Sequence, residues 1–288
     1  MVNLHPQFWD RLAWSFSKHN LRKECARQYW YEYIGPNDSD VAVSERNRLL
    51  DLKKLRSKKF ITGGLVHDAL ASYITHIQQG YATTEQEMHD SVLSAVSNLR
   101  EFPEMLTETV NGLPPDEGFY DRVFDTSVDQ ISVFLRLIWP KFASMGYLEH
   151  EQFGSTRVGN ASIIVKADLV VQPGLREVRV VDWKTGSERE GYETNLQLSA
   201  YTLWSMSKYS SISDKFSVSV CRLSSGHIME STPTKEDIER TIGKIADDWH
   251  HMTNDLTFES HPASPSPSLC ISCKFATVCS AADLRLRT

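Results

Sequence analysis

The sequence predicts an α/β protein, with a helical N-terminal lobe followed by an α/β core. Three observations carry that prediction. Up to about residue 145 the apolar residues recur at helical spacing, and from Tyr147 onward they alternate with a period of two. The order is then helices, three or four strands, a helix between strands and a final helix, which suits a sheet covered by helices.

After Gly63-Gly64, the residues Val66, Leu70, Tyr73 and Ile77 fall on one side of a helix, and a second helix runs from about Thr84 to Leu99. Gly112 and Pro114-Pro115 break the pattern, so Leu106 to Gly118 reads as a loop. A long helix follows from about Phe119 to Met145, bent at Pro140, which has no amide hydrogen. Ala161, Ile163, Val165, Ala167, Leu169 and Val171 are apolar, with polar Ser162, Lys166, Asp168 and Gln172 between them, as in one strand with a single face in the core. Pro173-Gly174 turns the chain and Glu177 to Lys184 pairs back. Thr194 to Ser207 is helical, and Lys215 to Leu223 with Ile228 to Thr232 forms a hairpin about Ser224-Ser225-Gly226. Thr234 and Asp237 read as a capping box, opening a helix with Ile238, Ile242, Ile245, Trp249 and Met252 along one side. No internal repeat interrupts this order. The expected organisation is a single domain over 1–288: a mainly helical lobe at 1–146, an α/β core at 147–260 and a C-terminal cysteine segment at 261–288.

A chain of 288 residues can bury a full core. No apolar run approaches the roughly 20 residues that span a bilayer. Met1 to Arg11 carries Pro6, Trp9 and Asp10 where a signal peptide needs an apolar centre. A cytoplasmic protein with no membrane partner is expected. Five cysteines in such a chain point to thiolate ligands or buried thiols before disulfides. Three of them, Cys270, Cys273 and Cys279, are spaced Cys-x2-Cys-x5-Cys near the C-terminus. Three ligands do not close the shell of a structural zinc or of an iron–sulfur cluster, each of which takes four. The fourth must be Cys25 or Cys221. Cys25 sits in a polar, basic stretch, whereas Cys221 lies in a strand-like segment where a buried, inert thiol is ordinary. The expectation is a clasp that ties one end of the chain to the other.

The net charge of −6 gives no overall footprint of a nucleic-acid binder. The charge is unevenly placed, however. Arg46, Arg48, Lys53, Lys54, Arg56, Lys58 and Lys59 stand against the single acid Asp51. Such a block is either a solvated helix face or a surface for phosphates.

Asp182-Trp183-Lys184 closes a strand, so Asp182 and Lys184 share a face and Trp183 turns to the core. If the strand of Asp168 pairs with it, two carboxylates and an ammonium converge at one end of the sheet. A divalent cation is the usual resolution of two neighbouring carboxylates. With a lysine beside them the set suits phosphodiester hydrolysis, the metal activating water and the lysine stabilising developing charge. Taken alone, the tripeptide also allows a surface ion pair on a structural strand.

These elements occur in one order: Gly63-Gly64-Leu65-Val66-His67-Asp68-Ala69-Leu70, Asp168, Val181-Asp182-Trp183-Lys184-Thr185-Gly186 and Gln197-Leu198-Ser199-Ala200-Tyr201. Together they resemble the RecB-type branch of the PD-(D/E)XK nucleases. With Cys25 and the C-terminal triplet added, the chain is similar to the iron–sulfur members of that branch, the CRISPR-associated exonucleases and AddB-type nuclease domains. The resemblance runs from Cys25 to Cys279 and implies a restriction-endonuclease-like core, a central mixed β-sheet flanked by helices. It implies that His67, Asp168, Asp182 and the carbonyl of Trp183 bind Mn2+ or Mg2+. Lys184 would be the catalytic lysine, with Gln197 and Tyr201 bracing it or touching the scissile strand. It also implies a structural [4Fe–4S] cluster on Cys25, Cys270, Cys273 and Cys279, with Zn2+ the alternative. One position departs from the family. Two residues before Asp168, where a small residue is common, stands Lys166, which could hold a phosphate or compete with a metal.

The function implied is a metal-dependent deoxyribonuclease, an exonuclease on single-stranded DNA ends, with Arg46 to Lys59 feeding the strand. Two alternatives stand beside it. One is a nuclease subunit active only with protein partners in a repair, CRISPR or antiviral complex. The other is a non-catalytic nucleic-acid-binding module of the same fold.

Overall fold

The computed structural model describes Leu4, Phe8 and residues 12–186 and 193–284. Most of Met1 to Arg11 and the end of the cysteine segment, 285–288, lie outside the described residues. Among the described residues, α1 (Phe16–Glu24), capped by the Ser15 hydroxyl, is followed by a short helix, a π-turn and α2 (Val43–Leu52). Next come α3 (Lys58–Gln78), α4 (Glu85–Glu101) and α5 (Phe119–Val133). Strands β1 (Gly146–Glu149), β2 (Phe153–Val158), β3 (Ala161–Lys166), β4 (Leu169–Gln172) and β5 (Glu177–Lys184) lead to α6 (Glu193–Tyr209). Then β6 (Lys215–Arg222), β7 (Ile228–Ser231), α7 (Lys235–Asn254) and the short α8 (Pro267–Ile271) complete the described chain. No described helix is long and apolar enough to cross a membrane.

The five-stranded sheet has the order β1-β4-β5-β6-β7, with β5 and β6 parallel and the other pairs antiparallel. α6 supplies the crossover that a parallel pair requires. The pleat sends alternate residues to opposite faces. Leu169, Val171, Val181 and Trp183 pack with α3, α4 and α5, while Val170, Val178, Val180, Val218 and Val220 pack with Leu198, Tyr201 and Trp204 of α6. Both faces of the central strands β4, β5 and β6 are covered, while the edge strands β1 and β7 are partly exposed. A third core is made from the two ends of the chain and from β3. Trp14, Tyr29, Trp30 and Tyr31 meet Ala161, Ile163, Ile245, Met252 and Phe275 there.

Three expectations need correction. The run from Ala161 to Val171 is two strands, not one. β3 pairs with β2 in a separate two-stranded sheet, and the chain changes sheets at Ala167-Asp168. The amide of Glu151 donates to both Ala167 O (3.0 Å) and Asp168 O (3.3 Å) at the crossing, so alternation survives without a continuous ladder. β1 and β2 are additional strands, bringing the described total above the three or four expected. β1 is short and irregular between Tyr147 and Glu149, and β2 carries Gly154, where a Cβ would lie 2.1 Å from Nε1 of Trp204. Neither shows a clean period in the sequence. Finally, the long helix after Phe119 is not continuous to Met145. A π-turn at Phe134–Ile138 precedes Pro140, which sits in the first turn of a short helix, Trp139–Phe142. Lengthening the hydrogen-bond ladder ahead of the proline absorbs its missing donor.

The capping box at Thr234 and Asp237 is present, but α7 buries Thr241, Ile245, Asp248 and Met252, while Ile242 remains 38 % exposed. The reason is Asp248. Its carboxylate accepts from Trp14 Nε1 (2.9 Å) and Arg22 (3.1 Å) and lies 2.6 Å from Nδ1 of His19. Burial alone would raise this carboxyl, but the bonds to His19 and Trp14 hold it at about 2, below the ordinary 3.8. The folded state therefore favours the charged form by about 2 kcal/mol. That contribution is complete above about pH 4 and is lost as the pH falls toward about 2. Asp248→Asn should lower unfolding free energy at neutral pH by about 2 kcal/mol, and its stability should be flatter than the parent's between about pH 4 and 2 in denaturant titrations.

Candidate active site

β5 ends on Asp182, Trp183 and Lys184. Trp183 enters the core against Phe134 and Phe142, at ring-centroid distances of 5.3 and 5.9 Å. Asp182 and Lys184 turn the other way, toward α6. Oδ1 of Asp182 accepts from the Tyr201 hydroxyl (2.9 Å) and the Gln197 amide (3.3 Å), and Oδ2 lies 2.9 Å from Nζ of Lys184. Lys184 donates to Gln197 Oε1 at 3.0 Å. Gln197 and Tyr201 are one turn apart on α6 and bond each other at 3.1 Å. Burial and the neighbouring Asp182 and Asp168 raise the Tyr201 phenol well above its usual value, so it remains a donor.

Asp168 arrives from the crossing that leads into the neighbouring strand, β4. Its Oδ2 accepts the backbone N–H of Trp183 (2.5 Å), and its Oδ1 stands 3.2 Å from Nδ1 of His67. His67 reaches it from α3. That helix passes so close to the end of β5 that a Cβ on Gly63 would sit 2.9 Å from the Thr185 hydroxyl. Gln130 of α5 holds the same turn by donating to Thr185 O at 3.1 Å.

Glu151 also joins this group. Its Oε1 is 3.6 Å from His67 Nδ1, and its Oε2 pairs with the ammonium of Lys166. His67, Glu151 and Asp168 each present one ligand atom within 4.8 Å of the others. Burial works against a charged His67, but Asp168 and Glu151 outweigh it and push the imidazole up to about 10. Burial raises the carboxyl of Asp168 to about 6, with Asp182 adding to the shift and His67 and Trp183 opposing it. A partly buried set of imidazole and carboxylates is the donor chemistry of Mn2+ or Mg2+ with a histidine ligand. The ion would take the place of the imidazole proton.

The cysteines divide as two groups. Cys25, Cys270, Cys273 and Cys279 line one cavity between the two ends of the chain. Cys221 is wholly buried in β6, in the core beside Trp183. Burial raises the Cys273 thiol to about 12, the Phe275 amide opposes this, and Cys25, Cys279 and Cys270 add to it. Among the described residues, no three of these sulfurs lie within 4.8 Å of one another. The cysteine segment is held by Asn111, whose amide donates to Ile271 O (2.9 Å) and Cys273 O (3.0 Å).

The basic block is not a uniform charged face. Lys53 donates to Glu32 O (2.7 Å), Lys58 to Leu113 O (2.9 Å) and Arg48 to Thr277 O (3.5 Å), and Lys54 pairs with Asp51 (2.8 Å). Arg56 and Lys59 are exposed, Arg46 half-exposed. Lys166 is on the far side of His67 in sequence and meets Glu151. A cavity of about 850 Å3 lies on the other side of α6 from Gln197 and Tyr201, lined by His19, Arg22, Ser199, Lys244 and Asp248.

Sequence reasoning missed Glu151, Asn111 and Gln130. Glu151 lies in a turn with no periodic signal, and the other two act on residues 50 or more positions away. Only a contact map could have found them.

No curated protein matches the chain. Among solved structures, a candidate exonuclease from Eubacterium rectale is 12 % identical, with 84 % of this chain and 85 % of that one covered and a TM-score of 0.40. A second, SSO0001, is 19 % identical over 57 % of this chain and 75 % of its own, with a TM-score of 0.30. The sequence profile of the PD-(D/E)XK nuclease superfamily matches residues 13–280. The mixed sheet flanked by helices is consistent with the restriction-endonuclease-like fold of that superfamily. With nearly the whole chain matched, the protein belongs to the PD-(D/E)XK nuclease superfamily.

Proposed function

We propose that this nuclease hydrolyses DNA phosphodiesters with a carboxylate-bound divalent metal, and that it works as an exonuclease on single-stranded ends, with 1–288 acting as one nuclease domain. The observation that carries the reading is the junction at the end of β5. There Asp182 and Lys184 are fixed by Gln197 and Tyr201 beside Asp168 and His67. His67, Asp168, Asp182 and the Trp183 carbonyl would hold Mn2+ or Mg2+. The ion supplies Lewis acidity toward the phosphate and its attacking water. Gln197 holds the Lys184 ammonium where charge develops on the phosphoryl oxygens, and Tyr201 fixes one oxygen of Asp182 while the other pairs with that ammonium. A non-catalytic module of this fold would not need all four side chains in register.

For the clasp, the reading is a structural [4Fe–4S] cluster on Cys25, Cys270, Cys273 and Cys279, as in the iron–sulfur RecB-type branch. Four thiols around one cavity supply the donor set. Tetrahedral zinc on the same four thiols is the alternative. A second functional reading, a subunit working with repair, CRISPR or antiviral partners, is favoured by the net charge of −6 and by basic residues bound to the chain's own carbonyls.

Asp182→Ala and Lys184→Ala should each slow cleavage by about 100-fold or more while single-stranded DNA binding persists. The assay uses end-labelled and circular single strands with Mn2+, Mg2+ or EDTA. Cleavage of circles would refute the exonuclease reading, and undiminished cleavage by Asp182→Ala would refute the site.

Anaerobically purified protein should be brown, with about four irons per chain. Cys25→Ser should bleach it as fully as Cys273→Ser, and Cys221→Ser should leave it coloured. One zinc per chain and no iron would replace the cluster with zinc.

If the exposed part of the basic block touches phosphates, binding to a single strand should weaken with salt by a log–log slope of about −0.7 per contact. Replacing Lys54, Arg56 and Lys59 with Ser should flatten that slope. An unchanged slope would make the block a solvated surface.

A further inference from the structure

Glu151 stands out on geometry. It lies between β1 and β2 with φ 52°, in the left-handed region that side chains disfavour. Its backbone amide binds the carbonyls of Ala167 and Asp168, so the segment that sets Asp168 also sets Glu151. The result puts its carboxylate beside His67 and Asp168, with one ligand atom from each within 4.8 Å of the others. Asp182 is not in this group. It stands on the other side of Asp168, held by Tyr201, Gln197 and Lys184.

Lys166 pairs with Glu151. Its backbone is anchored, because Tyr201 donates to its carbonyl (3.1 Å), but its side chain is 46 % exposed and reaches Glu151 from solvent. A lysine here is the chain's departure from the small residue common in the family.

We propose that Glu151 is a further ligand of the divalent cation, on the face of the centre made with His67 and Asp168, and that the Lys166 ammonium is a placeholder that the cation displaces. This rests on the metal centre proposed above. The charges support it. Glu151, Asp168 and Asp182 carry three negative charges, and a divalent cation with Lys184 balances them, leaving Lys166 surplus. Being long and half-exposed, its side chain can swing into solvent without moving the backbone. A purely structural ion pair between Glu151 and Lys166 would not need the carboxylate to share a histidine with Asp168.

The test is the affinity for Mn2+ alone, without DNA, measured by calorimetry and by the electron-spin signal of free Mn2+ at fixed pH and salt. Glu151→Gln should weaken binding at least 10-fold, and Lys166→Met should tighten it at least 3-fold. Equal affinities for Glu151→Gln and the parent would overturn the ligand, and unchanged or weaker binding by Lys166→Met would overturn the placeholder. Melting in EDTA reports folding of each variant. Should Glu151→Gln fail to fold, Glu151→Asp takes its place, with weaker binding expected from the shorter reach and parental affinity overturning the ligand. Asp168→Asn separates the two levels of the argument. If it leaves Mn2+ affinity unchanged, the centre itself is misplaced. If it abolishes binding while Glu151→Gln does nothing, only the present proposal fails.

Discussion

Two carboxylates buried in one sheet constrain everything around them. Asp168, just before β4, and Asp182, in the adjacent β5, are 6 % and 4 % exposed. Left unpaired, each would cost several kcal/mol. The fold answers from three directions. α3 brings an imidazole, α6 brings a phenol and an amide, and the backbone of Trp183 brings an N–H. The order of elements follows from this need. The crossover between parallel β5 and β6 must be a helix, and that helix carries Gln197 and Tyr201 one turn apart. The change of sheets at Asp168 frees its side chain from a ladder position, letting the carboxylate accept an amide that a backbone carbonyl would otherwise take.

The balance is electrostatic. Lys166, Lys184 and His67 face three carboxylates; burial opposes the charged His67 but Asp168 and Glu151 raise it, and burial raises the carboxyl of Asp168. In the metal centre proposed above, a divalent ion would replace these protons and ammonium groups.

The ends of the chain are joined independently of this site. Tyr31 stacks near Phe275 at 5.5 Å, Trp30 meets Phe258 edge-on at 4.9 Å, and Arg27 lies over the Phe258 ring at 3.3 Å. Asn111 then fixes the carbonyls of the cysteine segment. An aromatic core of this size orders the four cysteines around their cavity from the outside. Asp248 does similar work nearby, drawing Trp14, His19 and Arg22 onto α7.

The residues of β5 and α6 were legible in the sequence because their chemistry is local. Asp182 and Lys184 are two apart on a strand, Gln197 and Tyr201 four apart on a helix, and Pro173-Gly174 announces the turn that pairs β4 with β5. The helix caps at Thr234 and the hairpin at Gly226 were readable for the same reason, each being settled within a few residues. Ile245, Trp249 and Met252 of α7 were readable too, but Glu151, Asn111 and the burial of Thr241 and Asp248 on α7 were not. Alternation from Ala161 to Val171 gives no hint that the chain leaves one sheet for another, because side-chain period is blind to which strand lies alongside. Nor can a sequence show that Asp248, 229 positions from His19, is the polar group a helix will bury. Those choices are made by long-range contacts, where burial forces each polar group to find a partner and only the assembled chain determines which partner is within reach.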